Sequence, residues 1–213
     1  MKKMKINLGL QLLAAVVLSG CHSSIGKMAA DRAENIIPLA VGECLPQLNL
    51  KNAKAEEISL NKFIDQKPSI LIFYRGGWCP YCTRHLQGLQ KVVPELKSLG
   101  YQLIAISPDR PALLSPLAKE KGLGYSLFSD SSMKASTAMG LAFRLDDATF
   151  VKYKDSYNID IEADSGYKHH LLPVPAVYVV DAEGRVQYRY VNKNYKVRLE
   201  PDKLLKAAAQ AVR

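Results

Sequence analysis

The chain has 213 residues, 48% of them hydrophobic and 23% charged, which suits a single domain with a sizeable core. Its formal charge of +9 is scattered, without an arginine-rich helix or a basic patch interleaved with aromatics, so nucleic acid is excluded as a partner. A modest attraction to an anionic membrane surface or to acidic proteins is what remains of that charge as a clue.

The chain opens on a targeting pattern. Lys2, Lys3 and Lys5 precede a mostly apolar run, Ile6–Leu18, that is short of the roughly 20 residues a transmembrane helix needs. It ends in Leu18-Ser19-Gly20-Cys21, which resembles a bacterial lipobox. Residues 1–20 are therefore expected to be a lipoprotein signal peptide and Cys21 the lipidated residue. The protein is then anchored in the bacterial cell envelope, facing the periplasm or another extracytoplasmic space. Residues 21–40 are polar and irregular and read as a tether, and residues 41–213 as the domain.

Within the domain, strands are expected at Ser69–Tyr74, Tyr101–Ser107, Pro175–Val180 and Arg185–Val191, with a weaker one at Tyr125–Ser129. Helices are expected at Tyr81–Leu99, Pro111–Lys121, Ser131–Met139 and Pro201–Val212, with Pro94 kinking the first. Strands alternate with helices up to Met139, which argues parallel βαβ units, and a hairpin follows across Asp181–Gly184. Residues 142–170 are rich in Tyr, Lys and Asp and long for a loop. They read as an insertion near the substrate face, with Tyr153, Tyr157, Tyr167, His169 and His170 as candidate contacts.

The chemistry concentrates where the apolar run Ile70–Tyr74 ends. Gly76 and Gly77 break the run, Trp78 follows, and then Cys79-Pro80-Tyr81-Cys82 opens a helix, with Pro80 in the first turn where proline is welcome. A thiolate at a helix N-terminus faces unpaired N–H groups and the positive end of the helix dipole, which lowers its pKa. Cys79 is the expected nucleophile, at the cap where solvent reaches it. Cys82 is the expected resolving thiol, three residues on and about 5–6 Å away on the same face. Arg75 and Arg84 are nearby charges placed to favour the thiolate, while either one alone reads first as a solvated surface arginine. A zinc site needs four ligands, and beyond this pair only Cys44, His85, His169 and His170 are on offer, without knuckle spacing. No metal or other cofactor is expected beyond the Cys79–Cys82 pair. Cys44 reads as a buried, inert thiol.

Strand, Trp78–Cys82, then helix resembles the active site of the thioredoxin superfamily. The longer run Phe73–Cys82 is similar to the peroxiredoxin-like branch, the alkyl hydroperoxide reductase and thiol-specific antioxidant group. Val41–Leu50, Ile104–Asp109, Leu127–Asp130, Leu172–Asp181 and Asn194–Pro201 follow the same branch in order. The resemblance implies an α/β, thioredoxin-like fold, a central mixed sheet flanked by helices. It implies a cis-proline at Pro175, with Pro173 as the rival, lying with Val174 against the disulfide; Trp78, Pro80, Tyr81 and Arg75 complete the expected substrate-supporting set. It departs from the branch in one respect: Gly76 stands where typical members carry threonine, and Arg75 is the candidate substitute. Nor does the strand Ile70–Tyr74 carry the buried acid typical of thioredoxins.

Two enzyme readings follow. In the first, Cys79 attacks a peroxide and Cys82 resolves the sulfenic acid, giving an antioxidant peroxidase; in the second, the pair reduces disulfides of envelope proteins. Either needs a dithiol electron donor. A copper-delivery role is disfavoured, because membrane-anchored relatives of that kind space their cysteines by three residues.

Overall fold

Five apolar residues in a row leave no face for water, so such a run forms a strand buried on both sides. Strand β3 (Ser69–Phe73) takes Ile70–Phe73 of the run Ile70–Tyr74, and all five of its residues are buried. Ile70, Ile72 and the following Tyr74 join one core cluster with Leu86, Leu89, Leu103, Val177 and Leu204; Leu71 and Phe73 join a second with Leu60, Ile104, Ile106, Tyr178 and Val180. The structure, a computed structural model, describes residues 27–64 and 66–211. The expected signal peptide and Cys21 lie outside the described residues.

Before β3 come β1 (Asn49–Lys51), β2 (Glu57–Ser59) and the short helix α1 (Leu60–Ile64). After it come α2 (Pro80–Gln90), α3 (Val93–Ser98), β4 (Gln102–Ser107), α4 (Pro111–Lys121), β5 (Ser126–Ser129) and α5 (Lys134–Ala138). Then follow β6 (Ala142–Arg144), α6 (Asp147–Tyr157), α7 (Ile161–Ser165), β7 (Leu171–Pro173), β8 (Ala176–Val180), β9 (Val186–Val191) and α8 (Pro201–Ala211). Seven strands form one sheet in the order β2-β1-β5-β4-β3-β8-β9, and β6 pairs with β7 apart from it. The strands β3, β4 and β5 run parallel, while β1, β8 and β9 each lie antiparallel to a neighbour. This is the expected α/β arrangement, a central mixed sheet with helices packed against both faces.

The expected parallel units and hairpin are present, and α4 has the expected bounds: Pro111 starts it and Gly122, at φ +63°, ends it. The expected kinked helix 81–99 is two helices. Pro94 has no N–H to offer, and Lys91 and Val92 donate to carbonyls three residues back, tightening the last turn before α3 begins. The expected helix Ser131–Met139 shrinks to α5, whose first turn is capped by the buried carboxylate of Asp130 accepting from Ala135 N and Ser136 N.

Four expectations need correction. Residues 142–170 are not an irregular loop but carry α6 and α7, capped by Asp146 and Asp160, which accept from the N–H groups of Thr149 and of Glu162 and Ala163. The described part of the expected tether is docked: Ala30 bridges Phe143, and Leu39, fully buried, donates its N–H to Met139 O. Cys44 is half-buried and its sulfur is not free, so it is no buried, inert thiol. No described peptide bond is cis, so the bond from Val174 to Pro175 is trans; both residues are buried.

Docking of residues 36–40 requires Gly140. It sits at φ +68°, and a Cβ there would overlap the carbonyl oxygen of Ile37. Gly140→Ala is expected to destabilise the fold by about 1–3 kcal/mol through strain and displacement of the segment. Urea unfolding measures it, and a midpoint equal to wild type would mean the segment does not pack there.

Candidate functional site

Cys79 is the N-cap residue of α2 (φ −88°, ψ 111°) and Pro80 is the first helical residue, as the sequence requires. The carbonyl of Cys79 accepts from the N–H groups of Cys82 and Thr83, so the two sulfurs share the first turn. Both cysteines are free thiols, and both are buried: Cys79 is 1% exposed and Cys82 0%. The expectation that solvent reaches Cys79 is therefore wrong. A cap position exposes backbone N–H groups, but Cys79 lies within the buried cluster against which Trp78 and Tyr81 pack.

The two thiols are driven apart electrostatically. The pKa of Cys79 falls to about 6, first because Cys82 donates a hydrogen bond to it, then through the charge of Arg75, the backbone N–H of Cys82 and the charge of Arg198, against the cost of burial. Cys82 moves the other way: burial, its hydrogen bond to Cys79 and the charge on Cys79 all push its pKa well up. The asymmetry makes Cys79 the thiol that ionises first and keeps the proton on Cys82.

Arg75 lies two residues past the end of β3 and is 4% exposed. Its guanidinium lies over three rings, 5.0 Å from the centroid of Trp78, 5.5 Å from Tyr153 and 4.1 Å from Tyr195, and donates to the hydroxyl of Tyr153. Among the described residues no carboxylate forms an ion pair with it. Cation–π contact offsets part of the cost of burying the charge without neutralising it. Arg84 is exposed on the flank of α2, a solvated surface arginine, and is not the second charge acting on Cys79. Arg198 takes that place, its Nη2 donating to Cys82 Sγ at 3.3 Å.

A further residue went unread in the sequence. Asp109, 2% exposed, follows β4 and accepts from Gly77 N at 2.8 Å and Ser107 Oγ at 2.9 Å. Burial raises its pKa to about 6, and the charges of Asp164 and Cys79 add to the rise. The buried acid missing from β3 thus arrives from the neighbouring strand, in the Ile104–Asp109 motif already noted. Gly76 makes room for it. At φ +146° it is in glycine territory, and a Cβ there would collide with the indole of Trp78 and lie 2.9 Å from Asp109 Oδ1. Threonine cannot occupy this position in this fold.

The remaining candidates divide. Trp78 packs edge-on against Tyr153, and Tyr81 edge-on against Tyr195. Tyr153, from the 142–170 segment, is at the site. Tyr157 and Tyr167 are largely exposed, while His169 bonds the carbonyl of Ser131 and His170 the carboxylate of Glu162. Val174 donates to Leu141 O, and pairing of Ala176 with Phe73 sets Pro175 just beyond the end of β3. Among the described residues no cluster of His, Cys, Asp and Glu is built to hold a metal ion.

Comparisons with known proteins give the chain a family and a fold. The model of the AhpC/TSA family matches residues 41–189. Peroxiredoxin Bcp of Escherichia coli is 31% identical over 104 residues, which is 49% of this chain and 66% of that relative, so the chain spans just under two thirds of the length of such relatives. The chloroplastic peroxiredoxin Q of Triticum aestivum is 28% identical over 152 residues, 71% of this chain and 59% of that protein. Reduced Prx3 of Vibrio vulnificus, solved in complex with hydrogen peroxide, superposes with a TM-score of 0.65 at 16% identity, covering 80% of this chain and 99% of that one. Peroxidoxin BcpB of Mycobacterium tuberculosis gives 0.62 at 16% identity, covering 81% and 96%. These structures share the fold.

The pKa of about 6 makes a pH prediction. Because the folded value is depressed, Cys79 is a thiolate above pH 6 and a thiol below it. Ultraviolet thiolate absorbance should titrate near pH 6, and Cys82→Ala should move the midpoint upward by removing the donated hydrogen bond. A wild-type midpoint near the ordinary cysteine value of about 8.5 would contradict the arrangement described.

Proposed function

The chain belongs to the AhpC/TSA family, and from that premise we propose that it reduces peroxides, with Cys79 as attacking thiolate and Cys82 as resolving thiol. The Cys79 sulfur attacks one peroxide oxygen, the O–O bond breaks, and the leaving oxygen takes a proton to become an alcohol or water. Cys79 is left as sulfenic acid. Cys82 then displaces the hydroxyl, forming the disulfide and releasing water, and an external dithiol returns both to thiols.

The observation that carries this reading is the unpaired, buried cation beside the thiolate. Arg75, caged by Trp78, Tyr153 and Tyr195, supplies positive charge where negative charge builds on the leaving oxygen. It stands in for the polar threonine that Gly76 lacks. The 1% exposure of Cys79 also favours a small substrate: a peroxide fits where a protein disulfide needs the site to open. Reduction of envelope protein disulfides is the second reading, supported by the strand–turn–helix placement of Cys79 and Cys82.

Stopped-flow oxidation of reduced protein by hydrogen peroxide separates the two. The expected rate constant lies well above that of free cysteine, and Arg75→Met should lower it on the order of 10²-fold, as loss of one charge-stabilising donor does. With Cys82→Ser, sulfenic acid should accumulate on Cys79. Mixed disulfides with envelope proteins, together with a peroxide rate equal to that of free cysteine, would favour the disulfide reductase instead.

The placement in the envelope belongs to the same proposal and rests on Leu18–Cys21. Lipid on Cys21 would tether the protein to a membrane. Cys21→Ser should release it into the soluble fraction or leave it unprocessed, and unchanged fractionation with unchanged mass would overturn the anchor.

A further inference from the structure

Residues 192–200, between β9 and α8, fold back over α2. Two contacts fix them. Leu199 is 2% exposed and its carbonyl accepts from the His85 ring at 3.1 Å; burial lowers the His85 pKa to about 4, so the ring stays neutral and its Nε2–H donates. Tyr195 lies between Arg75, 4.1 Å from its centroid, and the edge of Tyr81. Held at both ends, the segment puts Arg198 Nη2 3.3 Å from Cys82 Sγ. Among the described residues no carboxylate forms an ion pair with Arg198. Its charge is left for the sulfur.

We infer that Arg198 is a catalytic residue of the resolving step, holding Cys82 as the thiolate that attacks oxidised Cys79. This rests on the proposed division of roles between the two cysteines. The Cys82 sulfur forms the S–S bond, the bond from Cys79 Sγ to its leaving group breaks, and that group departs with the electron pair. When Cys79 is a sulfenic acid the leaving group is hydroxide, which takes a proton to become water.

The need for such a residue follows from burial. Cys82 is 0% exposed, and desolvation opposes its ionisation. While Cys79 is a thiolate, its charge and its hydrogen bond also keep Cys82 protonated. Oxidation of Cys79 removes both of these and leaves burial as the chief opposition to the thiolate. On the other side stand the Arg198 guanidinium and a backbone N–H from Arg75. The other groups around Cys82 add no charge in its favour. His85 on α2 is neutral, Tyr74 at the end of β3 is held protonated by burial, and Asp109 beyond β4 is negative when ionised. Arg75 acts first on Cys79 and Arg198 first on Cys82, so each step of the cycle has its own cation.

The test uses no peroxide. Dithiobis-nitrobenzoate reacts with reduced protein in two steps. Cys79 attacks and releases one coloured thiolate, then Cys82 displaces the second from the mixed disulfide. Arg198→Met is expected to slow the second step about tenfold or more near neutral pH and to move its pH profile upward, with the first step affected much less. Arg198→Lys should restore most of the second-step rate, because a point charge suffices. An unchanged second step in Arg198→Met, equal slowing of both steps, or a lysine variant no better than methionine would each overturn the inference. If Arg198→Met does not fold, Arg198→Gln removes the charge and is read in the same way. A wild type that ignores peroxide but completes both steps here would sink the peroxidase reading and leave this one standing.

Discussion

A thiolate beneath the protein surface has no water to stabilise it, so its charge must be balanced by groups the fold brings to it. Here two sulfurs sit in one helical turn, both buried, and burial opposes ionisation of each. What separates them is their own pairing. The hydrogen that Cys82 donates stabilises the charge on Cys79, and that same charge keeps the hydrogen on Cys82. The pair therefore holds one negative charge rather than two, and a chemical change at Cys79 resets its partner. Much of the surrounding architecture serves to keep two arginines near these sulfurs and away from carboxylates.

Keeping a guanidinium buried and unpaired is costly, and the cage around Arg75 is what makes it tolerable. Its three rings come from three separate places: Trp78 from the turn before α2, Tyr153 from α6, and Tyr195 from the segment after β9. The helices of residues 142–170 thus act as a wall of the site. Leu145, Tyr153, Ile161 and Leu172 form a small core of their own, against which Trp78 packs.

The local parts of this were legible in the sequence. A strand buried on both faces, a glycine break and a proline-started helix are all written within Ile70–Leu89. The bounds of α4 were equally plain, since Pro111 and Gly122 mark its ends. What was not legible came across the fold. Asp109 reaches Gly77 from 32 positions away, and Arg198 reaches Cys82 from 116 positions away. Both stood inside motifs that matched the family, but no local rule said where their side chains would point. The helices after Ala142 were hidden for another reason: α6 buries only Tyr153, so its hydrophobic period is faint, although Asp146 and Asp160 are ordinary N-cap residues. The depth of Cys79 was misread because a cap position says nothing about what packs over it.

The glycine at position 76 ties these observations together. As the missing threonine it reads as a loss of polar function, but its backbone at φ +146° and the closeness of Trp78 and Asp109 leave no volume for a side chain. The space holds instead the carboxyl that accepts from Gly77 N, in the turn leading to Cys79. The polar groups that the proposed peroxide reduction needs are then those of Arg75 and Tyr153, which hydrogen-bond to each other. The phenol oxygen of Tyr153 accepts from Arg75, which leaves its own hydrogen to be donated elsewhere. A hydroxyl donor and a cation are thus both present without a threonine. They are held by the aromatic cage rather than by the turn itself, so the position of α6 becomes a condition of the chemistry.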